Sequence, residues 1–439
     1  MDLKGTATPA SAFVGSNVPD DDFITQCMHC GLCLPTCPTY AITGLEKSSP
    51  RGRIRMIKAV SDGELKLTQG FIEEMNFCLD CQACETACPA GVKYGALVES
   101  ARVQIFQQGK VSWFEKVMKR LFLGRILSSK KNLKSVARLL RLFQRTDWSR
   151  RLNRSAIFKF IAPKLHALEP LSPRIDSVFF DESAAEILKP AGLVKHRVAF
   201  LTGCIMNVAF ADVDRDTIEI LLYNDCEVLI PQDQECCGSL QAHNGDISSA
   251  ERLARHNIDL FLSYNPEWII TNSAGCGAFM KEYERYLSSD PAYKEKAEVF
   301  SRKVKDLTEF LVAIDFKKPM KPYKKRVTYH DACHLAHAQR ITEQPRAILQ
   351  SIPGLELVEL PEASWCCGSA GIYNIVRYDD SMKFLERKMK NVASTEAEII
   401  VANNPGCITQ MKYGLETQEI HAEVIHLATL LNRAYASGN

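Results

Sequence analysis

The sequence predicts a multidomain chain of the α+β class, in which a helical, cysteine-bearing domain is followed by a duplicated α/β region. Two observations lead to this prediction. A run of four cysteines occurs twice near the start, and a second set of cysteines repeats at an interval of about 130 residues in the later half. The chain has 439 residues, which is enough for several domains of roughly 100–200 residues each.

The repeated run has the pattern C-x2-C-x2-C-x3-C-P and occurs at Cys27–Pro38 and at Cys78–Pro89. This is the spacing of bacterial ferredoxin sites, where the fourth cysteine of each run ligates the other cluster. The spacing therefore predicts two 4Fe–4S clusters, with the ligand sets Cys27/Cys30/Cys33/Cys88 and Cys78/Cys81/Cys84/Cys37. A zinc ribbon or a disulfide framework is the alternative, but tetrahedral zinc does not need two identical runs of four cysteines.

The segment between the two runs is predicted to be helical, which indicates a helical two-cluster ferredoxin domain over residues 21–109. A helix is expected to open behind a proline in Pro50–Ile57, and a second, short helix covers Phe71–Asn76. Three arginines of the first helix either offset the negative charge of a thiolate-ligated cluster or form a solvated basic turn. They are Arg51, Arg53 and Arg55.

A basic segment follows and separates the ferredoxin domain from the repeats, as a helical linker over residues 110–194. Residues 110–164 contain sixteen lysines and arginines against two acids, a net charge of +14 in a chain whose total is +2. Apolar residues recur at helical spacing, for example at Leu133, Val136, Leu140 and Phe143. The segment is expected to contact an anionic membrane surface or an acidic partner, or to pack on the protein's own domains. No nucleic-acid module accompanies the charge, so nucleic acid is not an expected partner.

The composition indicates a globular protein of a reducing compartment. Residues 1–20 are predicted to be a disordered tail, because they are polar, contain Gly and Pro, and lack the apolar core of a secretory leader. No run of 18 apolar residues is present, so no transmembrane helix is predicted. The expected location is the cytoplasm, where thiolates stay free for metal, with peripheral contact to the inner face of the cell membrane through residues 110–164 as a further expectation.

The later half is duplicated, with a first repeat over residues 195–322 and a second over 323–439. Each repeat carries a single cysteine, then a Cys-Cys-Gly sequence, then another single cysteine. The eight positions are Cys204, Cys236, Cys237 and Cys276 in the first repeat and Cys333, Cys366, Cys367 and Cys407 in the second. Because corresponding cysteines stay in step at three places, the repeat is not a coincidence.

A short apolar run of strand type precedes each of these cysteine positions. In the first repeat these runs are Arg197–Leu201, Glu227–Pro231 and Trp268–Ile270; in the second they are Arg326–Tyr329, Leu355–Leu360 and Glu398–Val401. Strands that alternate with helices indicate a parallel sheet, whose ligands lie beyond the carboxyl ends of the strands. Each repeat is therefore predicted to bring four thiols to one edge of a sheet.

Vicinal cysteines close a disulfide only with strain, so each Cys-Cys-Gly set is better suited to bind a further iron–sulfur cluster. The remaining cysteine, Cys226, is predicted to be a small buried hydrophobic residue. Three histidines surround Cys333, namely His330, His334 and His337. They either move protons and donate to sulfur, or fill local hydrogen bonds beside a helix cap at Asp331. His243, after the first Cys-Cys-Gly, is a weaker candidate, and no catalytic residue is predicted.

In the order of these motifs, together with Pro50-Arg51-Gly52-Arg53, the chain resembles the glycolate oxidase iron–sulfur subunit family over roughly residues 22–432. That family is related to the iron–sulfur subunits of lactate and anaerobic glycerol-3-phosphate dehydrogenases and to heterodisulfide reductase. The resemblance implies an oxidoreductase subunit that takes electrons from a flavoprotein partner, which oxidises the 2-hydroxy acid, and passes them toward quinone or the respiratory chain.

The alternative is a heterodisulfide-reductase-like thiol or disulfide oxidoreductase with catalysis at the Cys-Cys-Gly sites. A structural adaptor that uses clusters as staples is a third and weaker hypothesis. Heterodisulfide reductase sites end in C-x2-C, whereas Cys276 is followed by Gly-Ala-Phe and Cys407 by Ile-Thr-Gln. Each half therefore lacks the fifth ligand, which favours electron transfer. No flavin or nicotinamide motif is visible in the sequence, so the substrate chemistry is expected on a partner chain.

Overall fold

The structure is a computed structural model that describes residues 10–15, 17–145 and 169–436. The chain divides into two compact units. Unit 1 contains residues 1–121 together with 240–248, and unit 2 contains residues 122–239 and 249–439. In the described ranges no helix has the length and apolar character needed to cross a membrane.

Unit 1 is helical around its two cysteine loops, which confirms the predicted helical domain. The helix that begins at Pro50 is capped by Ser49, whose hydroxyl accepts a hydrogen bond from the Gly52 amide at 3.0 Å. Thr68 caps the next helix in the same way, through the Phe71 amide. The helices are Asp21–Thr25, Pro38–Thr43, Pro50–Ser61, Gln69–Phe77, Ala83–Thr86, Tyr94–Gln107 and Trp113–Leu121, with a 3₁₀ turn at Glu46–Ser48.

The core of unit 1 lies between the three longest of its central helices. It contains Ile57, Val60, Met75, Leu97 and Val98, each fully buried. The tail prediction needs a correction where the structure describes it. Phe13 is buried in this core, and the Ala12 amide donates to the Val60 carbonyl at 3.1 Å, so the expected disorder does not extend to these residues.

The described residues of unit 2 form two sheets, one for each repeat, and the first strand of the first sheet lies just before its repeat. The first has five strands in the order β1-β3-β2-β4-β5. Only β1 is antiparallel to its neighbour, and the other strands are parallel. The strands are β1 (Ile187–Leu188), β2 (His196–Phe200), β3 (Cys226–Leu229), β4 (Trp268–Thr271) and β5 (Val304–Asp306).

The second sheet is fully parallel, with the order β7-β6-β8-β9. Its strands are β6 (Arg326–His330), β7 (Glu356–Val358), β8 (Ile399–Ala402) and β9 (Glu423–Ile425). All six predicted strands are present within one or two residues of the expected ends, and the α+β class with a duplicated parallel-sheet region is confirmed. The predictions succeed because buried parallel strands are continuous apolar runs.

Helices cover the faces of both sheets, as a parallel sheet requires. Among the described residues, the helices that begin in unit 2 are Lys130–Arg145, Phe180–Ser183, Ile205–Ala209, Ala211–Tyr223, Ser239–His243, Ala274–Lys281, Tyr283–Tyr286, Lys294–Lys303, Leu307–Ala313, Glu343–Gln350, Tyr373–Val376, Tyr378–Ala393, Pro405–Thr417 and Leu427–Ala436. The helix Ile247–Ser263 begins in the last residues of unit 1 and continues into unit 2. Single π turns occur at Phe122–Ile126 and His334–Ala338, and a 3₁₀ turn at Glu169–Leu171.

The two repeats share one hydrophobic core inside unit 2, which includes Phe200 and Ile270 of the first sheet and Ile400 of the second. Backbone contacts also join the repeats, because the Ala274 amide donates to the Asn403 carbonyl at 3.0 Å. The duplicated region therefore folds as one body and not as two independent modules.

Candidate metal centres

The first cysteine loop forms an open cavity at the surface of unit 1. Cys27, Cys30 and Cys33 line it, and Cys88 of the second loop borders the same cavity. Cys30 is exposed, and Cys27, Cys33 and Cys88 are half-buried. Four convergent thiols fit a 4Fe–4S cluster, and Cys88 lies where the crossed ligand pattern requires it. Cys84 also borders this cavity, and the assignment of each cysteine to a cluster stays a prediction.

The second loop is buried. Cys78, Cys81 and Cys84 are at most 9% exposed, and Cys37 of the first loop is buried as well. Burial raises the pKa of the Cys84 thiol well above its usual value, with further contributions from Cys81, Cys78 and Cys37. These four thiols therefore lie close enough to repel one another as thiolates. A bound cluster would relieve that repulsion through its cationic iron–sulfur core, because ligand thiols are deprotonated when they bind metal.

Hydrogen-bond donors surround the buried thiols. The Tyr94 hydroxyl donates to Cys78 Sγ at 3.4 Å, and the Asp80 amide donates to the same sulfur at 3.3 Å. The Thr39 hydroxyl lies 3.2 Å from Cys37 Sγ. Donors of this kind stabilise the added negative charge of a reduced cluster and so tune its potential.

Of the three arginines singled out in the sequence, only Arg53 is fully buried. Its guanidinium donates to the Thr39 hydroxyl at 3.1 Å and to the Glu74 carbonyl at 2.8 Å. Burial lowers the pKa of Arg53, but its interactions with Tyr94, Cys78, Cys37 and Glu74 outweigh burial and raise that pKa above its usual value. Arg53 is therefore charged beside the thiols. This position suits the charge-offset interpretation.

The other two arginines differ from Arg53. Arg51 borders the cavity of the first loop, donates to Glu46 and donates to the His29 carbonyl at 3.2 Å. The side chain of Arg55 is more than half exposed and lies 3.9 Å from Glu64, which fits the solvated-turn interpretation. The two interpretations therefore apply to different residues of one helix.

A buried ion cluster that sequence reasoning underestimated also lies in unit 1. His243 Nδ1 is 2.8 Å from the Glu99 carboxylate and 3.3 Å from Asp80, and Arg102 is 3.5 Å from Asp80. Burial lowers the pKa of His243, but hydrogen bonds to Asp80 and Glu99 raise it to about 10. One possible metal-ligand atom from each of Asp80, Glu99 and His243 lies within 4.8 Å of the other two. The positive charges of His243 and Arg102 already balance the two carboxylates, so the cluster does not need a metal ion to neutralise it. The sequence does not single out Glu99, because it lies in the middle of the helix Tyr94–Gln107 and belongs to no motif.

In each repeat the thiols lie beyond the carboxyl ends of three adjacent strands. Cys204 follows β2, the Cys-Cys pair follows β3 and Cys276 follows β4. β3 and β4 lie on opposite sides of β2, so the strand order reverses at β2. The thiols lie at this reversal, which is the usual ligand position in such sheets. The second repeat has the same arrangement around β6.

The glycine of each Cys-Cys-Gly sequence is required by its backbone. Gly238 and Gly368 have φ values of +93° and +90°, a region that disfavours residues with a side chain. A Cβ on Gly368 would lie 2.6 Å from the Ser381 carbonyl oxygen. In both repeats a later helix packs closely against this glycine, namely Ile247–Ser263 in the first and Tyr378–Ala393 in the second, which explains why glycine ends the motif.

The thiols of the first repeat contact one another. Cys236 Sγ lies 3.7 Å from Cys204 Sγ, and Cys237 is hydrogen-bonded to Cys236 and Cys276. The hydrogen bond with Cys236, followed by burial, raises the pKa of Cys204 well above its usual value. The set is compact and has soft donors only, which fits an iron–sulfur cluster.

In the second repeat Cys366, Cys367 and Cys407 are buried and lie near one another, whereas Cys333 is half-buried just after the end of β6. Cys367 is hydrogen-bonded to Cys366, which lowers its pKa, and to Cys407, which raises it; burial makes the net shift strongly upward. The Asn404 amide donates to Cys407 Sγ at 3.6 Å. Cys226, in contrast, is fully buried at the start of β3, as predicted.

The predicted helix cap at Asp331 is wrong. The carboxylate of Asp331 instead forms a two-point ion pair with Arg346, at 2.9 and 2.8 Å. The turn after Cys333 is a π turn without a side-chain cap. His330 and His337 are buried, and burial lowers the pKa of both. The sequence does not reveal these partners because Arg346 is distant along the chain.

The basic segment is described as far as Arg145, and its remainder lies outside the described residues. In helix Lys130–Arg145, Lys134 and Arg138 pair with Glu182, and Lys130 pairs with Asp181 at 2.9 Å. Leu133 is buried, as the packing interpretation expects. On the same helix Leu139 is 68% and Leu142 60% exposed, so among the described residues this helix packs on the protein with one side.

Comparison with known proteins agrees with the geometry. Residues 23–92 match the family described as "4Fe-4S dicluster domain", and residues 198–281 and 327–412 match the family described as "Cysteine-rich domain". The chain is therefore an iron–sulfur protein with a two-cluster 4Fe–4S domain and two cysteine-rich domains.

Curated relatives narrow this class. The "Probable glycolate oxidase iron-sulfur subunit" of Bacillus subtilis (strain 168) is 39% identical over 94% of this chain and 95% of the relative. The "Glycolate oxidase iron-sulfur subunit" of Escherichia coli (strain K12) is 30% identical over 91% and 93%. "Lactate utilization protein A" of Oceanobacillus iheyensis is 30% identical over 54% of this chain and 96% of the relative. The chain belongs to the glycolate oxidase iron–sulfur subunit family.

Proposed function

We propose that this chain is the iron–sulfur electron-transfer subunit of a flavin-dependent 2-hydroxy-acid dehydrogenase of the glycolate type. A flavoprotein partner oxidises the hydroxy acid, and this chain carries the electrons onward to quinone or another acceptor of the respiratory chain. The observation that carries the proposal is the combination of two cysteine loops in unit 1 with two thiol sets in unit 2, in a chain whose relatives are glycolate oxidase subunits.

Each set of residues has a distinct part in this proposal. When bound, the clusters supply single-electron chemistry. The first loop is the part of unit 1 that a partner protein approaches, because Cys30 is exposed and its neighbours Met28 and Leu32 are 68% and 57% exposed. Arg53 and Tyr94 offset negative charge at the buried loop. The Cys-Cys-Gly thiols hold the centres that pass electrons toward the acceptor.

The test combines the chain with its flavoprotein. Alone, the chain is expected not to oxidise glycolate or lactate; with the flavoprotein, it is expected to restore electron flow to a quinone analogue. Cys236→Ser and Cys366→Ser should slow that flow more than they weaken partner binding, because serine is a poor ligand for soft iron–sulfur centres. Cys226→Ser is the matched control, since Cys226 is a buried cysteine outside both thiol sets.

Normal electron flow in both variants would mean that the Cys-Cys-Gly sites are structural and that the path ends at the ferredoxin clusters. Reduction of a disulfide substrate by the isolated chain at enzymic rates would overturn the proposal in favour of the heterodisulfide-reductase-like function.

We also propose that the basic segment makes the peripheral membrane contact. The helix Trp113–Leu121 leaves Trp113 79% and Leu121 46% exposed among basic residues, a composition suited to an anionic lipid surface. Binding should weaken steeply with salt, since surface charges are screened within about 10 Å at 0.1 M. Co-sedimentation with vesicles at low salt tests this, and equal binding to neutral and anionic vesicles would contradict it.

A further inference from the structure

The two Cys-Cys-Gly sites present the same thiols but different neighbours. His330 is the last residue of β6 and precedes Cys333 by three residues. The position three residues before Cys204 is occupied by Leu201, which is also buried. The second site therefore has an imidazole where the first site has an aliphatic side chain.

His330 lies among the thiols of the second site. Its side chain is 1% exposed. One of its ring nitrogens, Cys367 Sγ and Cys407 Sγ all lie within 4.8 Å of one another. Imidazole nitrogen and thiolate sulfur are both ligands of transition metals, so these three atoms form a mixed donor set.

The hydrogen bonding of His330 leaves its ring available. Neither ring nitrogen makes a hydrogen bond of normal geometry to a described residue, although the backbone of Ala363 lies near enough to raise its pKa slightly. A buried polar group without a hydrogen-bond partner destabilises the folded state. A neutral imidazole nitrogen has a lone pair that it can donate to a metal.

A second difference between the sites concerns charge. The carbonyl of Ala250 packs against Gly238 in the first repeat, and the carbonyl of Ser381 packs against Gly368 in the second, so these two helix positions correspond. Seven residues further along its helix, the first repeat has Asn257 and the second has Lys388. Lys388 is fully buried and donates to the carbonyls of Glu362 and Ala363. Burial lowers its pKa to about 8, while Cys367, Cys366 and Cys407 act to raise it.

We infer that His330 is a nitrogen ligand of the iron–sulfur centre at the second Cys-Cys-Gly site, which makes this site a mixed imidazole–thiolate centre and leaves the first a thiolate centre. Three buried thiols complete the donor set, those of Cys366, Cys367 and Cys407. Neutral imidazole in place of a thiolate makes the centre less negative by one charge, and the ammonium of Lys388 acts in the same direction.

This difference gives the second site the higher reduction potential, because replacing thiolate by histidine raises the potential of iron–sulfur centres. Under the proposed function, on which this assignment rests, the second site accepts electrons after the first. Asp331 is the acidic group on the strand side, and Arg346 already neutralises it. The direction of the charge effect is therefore set by His330 and Lys388.

The experiment uses the full-length protein, reconstituted without oxygen and labelled with ¹⁵N only in histidine. Pulsed EPR of the reduced protein is expected to show a directly bonded histidine nitrogen on one centre. His330→Leu should abolish that coupling while preserving the fold, since leucine occupies the matching position of the first repeat. His330→Cys should keep iron at the site, lose the coupling and move the midpoint potential of that centre to a more negative value.

His334→Gln is the matched control, because His334 lies in the same turn but is not in the donor set; its variant should retain the coupling. Absence of any histidine coupling, its persistence in His330→Leu, or the absence of iron beyond the two ferredoxin clusters would each overturn the inference. The coupling is measured without a partner protein. If it is present but the flavoprotein fails to reduce the chain, the proposed function fails and the ligand assignment stands.

Discussion

The two cysteine loops of unit 1 have the same cysteine spacing and share a left-handed backbone residue, yet they lie in opposite environments. His29 and Asp80 occupy equivalent positions and both adopt positive φ, at 53° and 55°. Around His29 the loop is open, and Cys30 is exposed. Around Asp80 the loop is buried, and Cys81 is 9% exposed. The motif therefore determines how the thiols converge, while the surrounding structure determines what electrostatic field they experience.

The difference follows from which side chains hold each loop. In the first loop, Arg51 donates to the His29 carbonyl from a partly exposed position. In the second, Arg102, whose side chain is 10% exposed, donates to the carbonyls of Met75 and Cys78. A buried loop held by ions should lose more when one of those ions is removed, and the predictions that follow test this expectation.

The largest difference is expected on removing a ligand from each loop. Reconstituted protein should bind about eight irons through the two loops, at four for each cluster, with more iron only if the Cys-Cys-Gly sites are loaded. Cys81→Ser should lose the buried cluster and destabilise unit 1, since Cys81 lies in the interior. Cys30→Ser should lose one cluster but retain the fold. Iron analysis and reduced EPR spectra measure both. Full iron and an unchanged spectrum in Cys81→Ser would contradict the ferredoxin assignment.

Removing the buried charge of Arg53 is the next test. Arg53→Met should lower the free energy of unfolding by about 3 kcal/mol, because breaking a buried pair leaves the carboxylate of Glu74 less compensated. Arg55→Met is the control, on the same helix but exposed, and should change it by less than about 0.5 kcal/mol. Anaerobic denaturant titration measures both. Equal effects of the two variants would show that burial does not distinguish the arginines.

The pH dependence of stability tests the ion cluster behind the second loop. Because the pKa of His243 is raised in the folded state, to about 10, its contribution is complete below the usual value near 6.5 and is lost as the pH rises through 10. The loss should reach a few kcal/mol, as an order of magnitude.

His243→Gln should remove this dependence, so the difference in unfolding temperature between wild type and variant should shrink from pH 7 to pH 10. The charged groups facing His243 are Asp80, Glu99 and Arg102. A constant difference over the range would show that the imidazole is not charged in the folded protein.

The smallest effect is expected at a single hydrogen bond. Tyr94→Phe removes the donor to Cys78 Sγ and should lower the potential of the buried cluster, because reduction adds negative charge that the hydroxyl stabilises. A bond worth about 1 kcal/mol corresponds to roughly 40 mV for one electron. Redox titration followed by EPR should show the shift in one cluster only. An equal shift in both clusters would contradict a local effect.

Much of the site is predictable from the sequence because its information is local. The spacing of each cysteine run fixes which thiols converge, and an apolar run before each Cys-Cys-Gly cysteine predicts the strand that presents it. The glycine of each motif follows from a positive φ value and a close helix. These features depend on neighbouring residues, so motif and period are sufficient to find them.

Other features depend on residues that only folding brings together. Arg51, Arg53 and Arg55 look alike in the sequence, but the helix that carries them buries only the second. The tail residue Phe13 packs in the core, contrary to the predicted disorder. In both cases burial depends on which side of the segment packs against another part of unit 1, and the local sequence pattern does not predict that packing.

The sequence by itself determined the class of cofactor, the number of thiol sets and the duplication of the later half, since ligand spacing and repeat interval are properties of the chain. Only the tertiary structure decided that His330 and Lys388 lie beside the second thiol set, and that His243 pairs with Glu99 across 144 residues of sequence. The physical reason is that the charge and the donor set of a site are sums over spatial neighbours, and those neighbours come from distant parts of the chain.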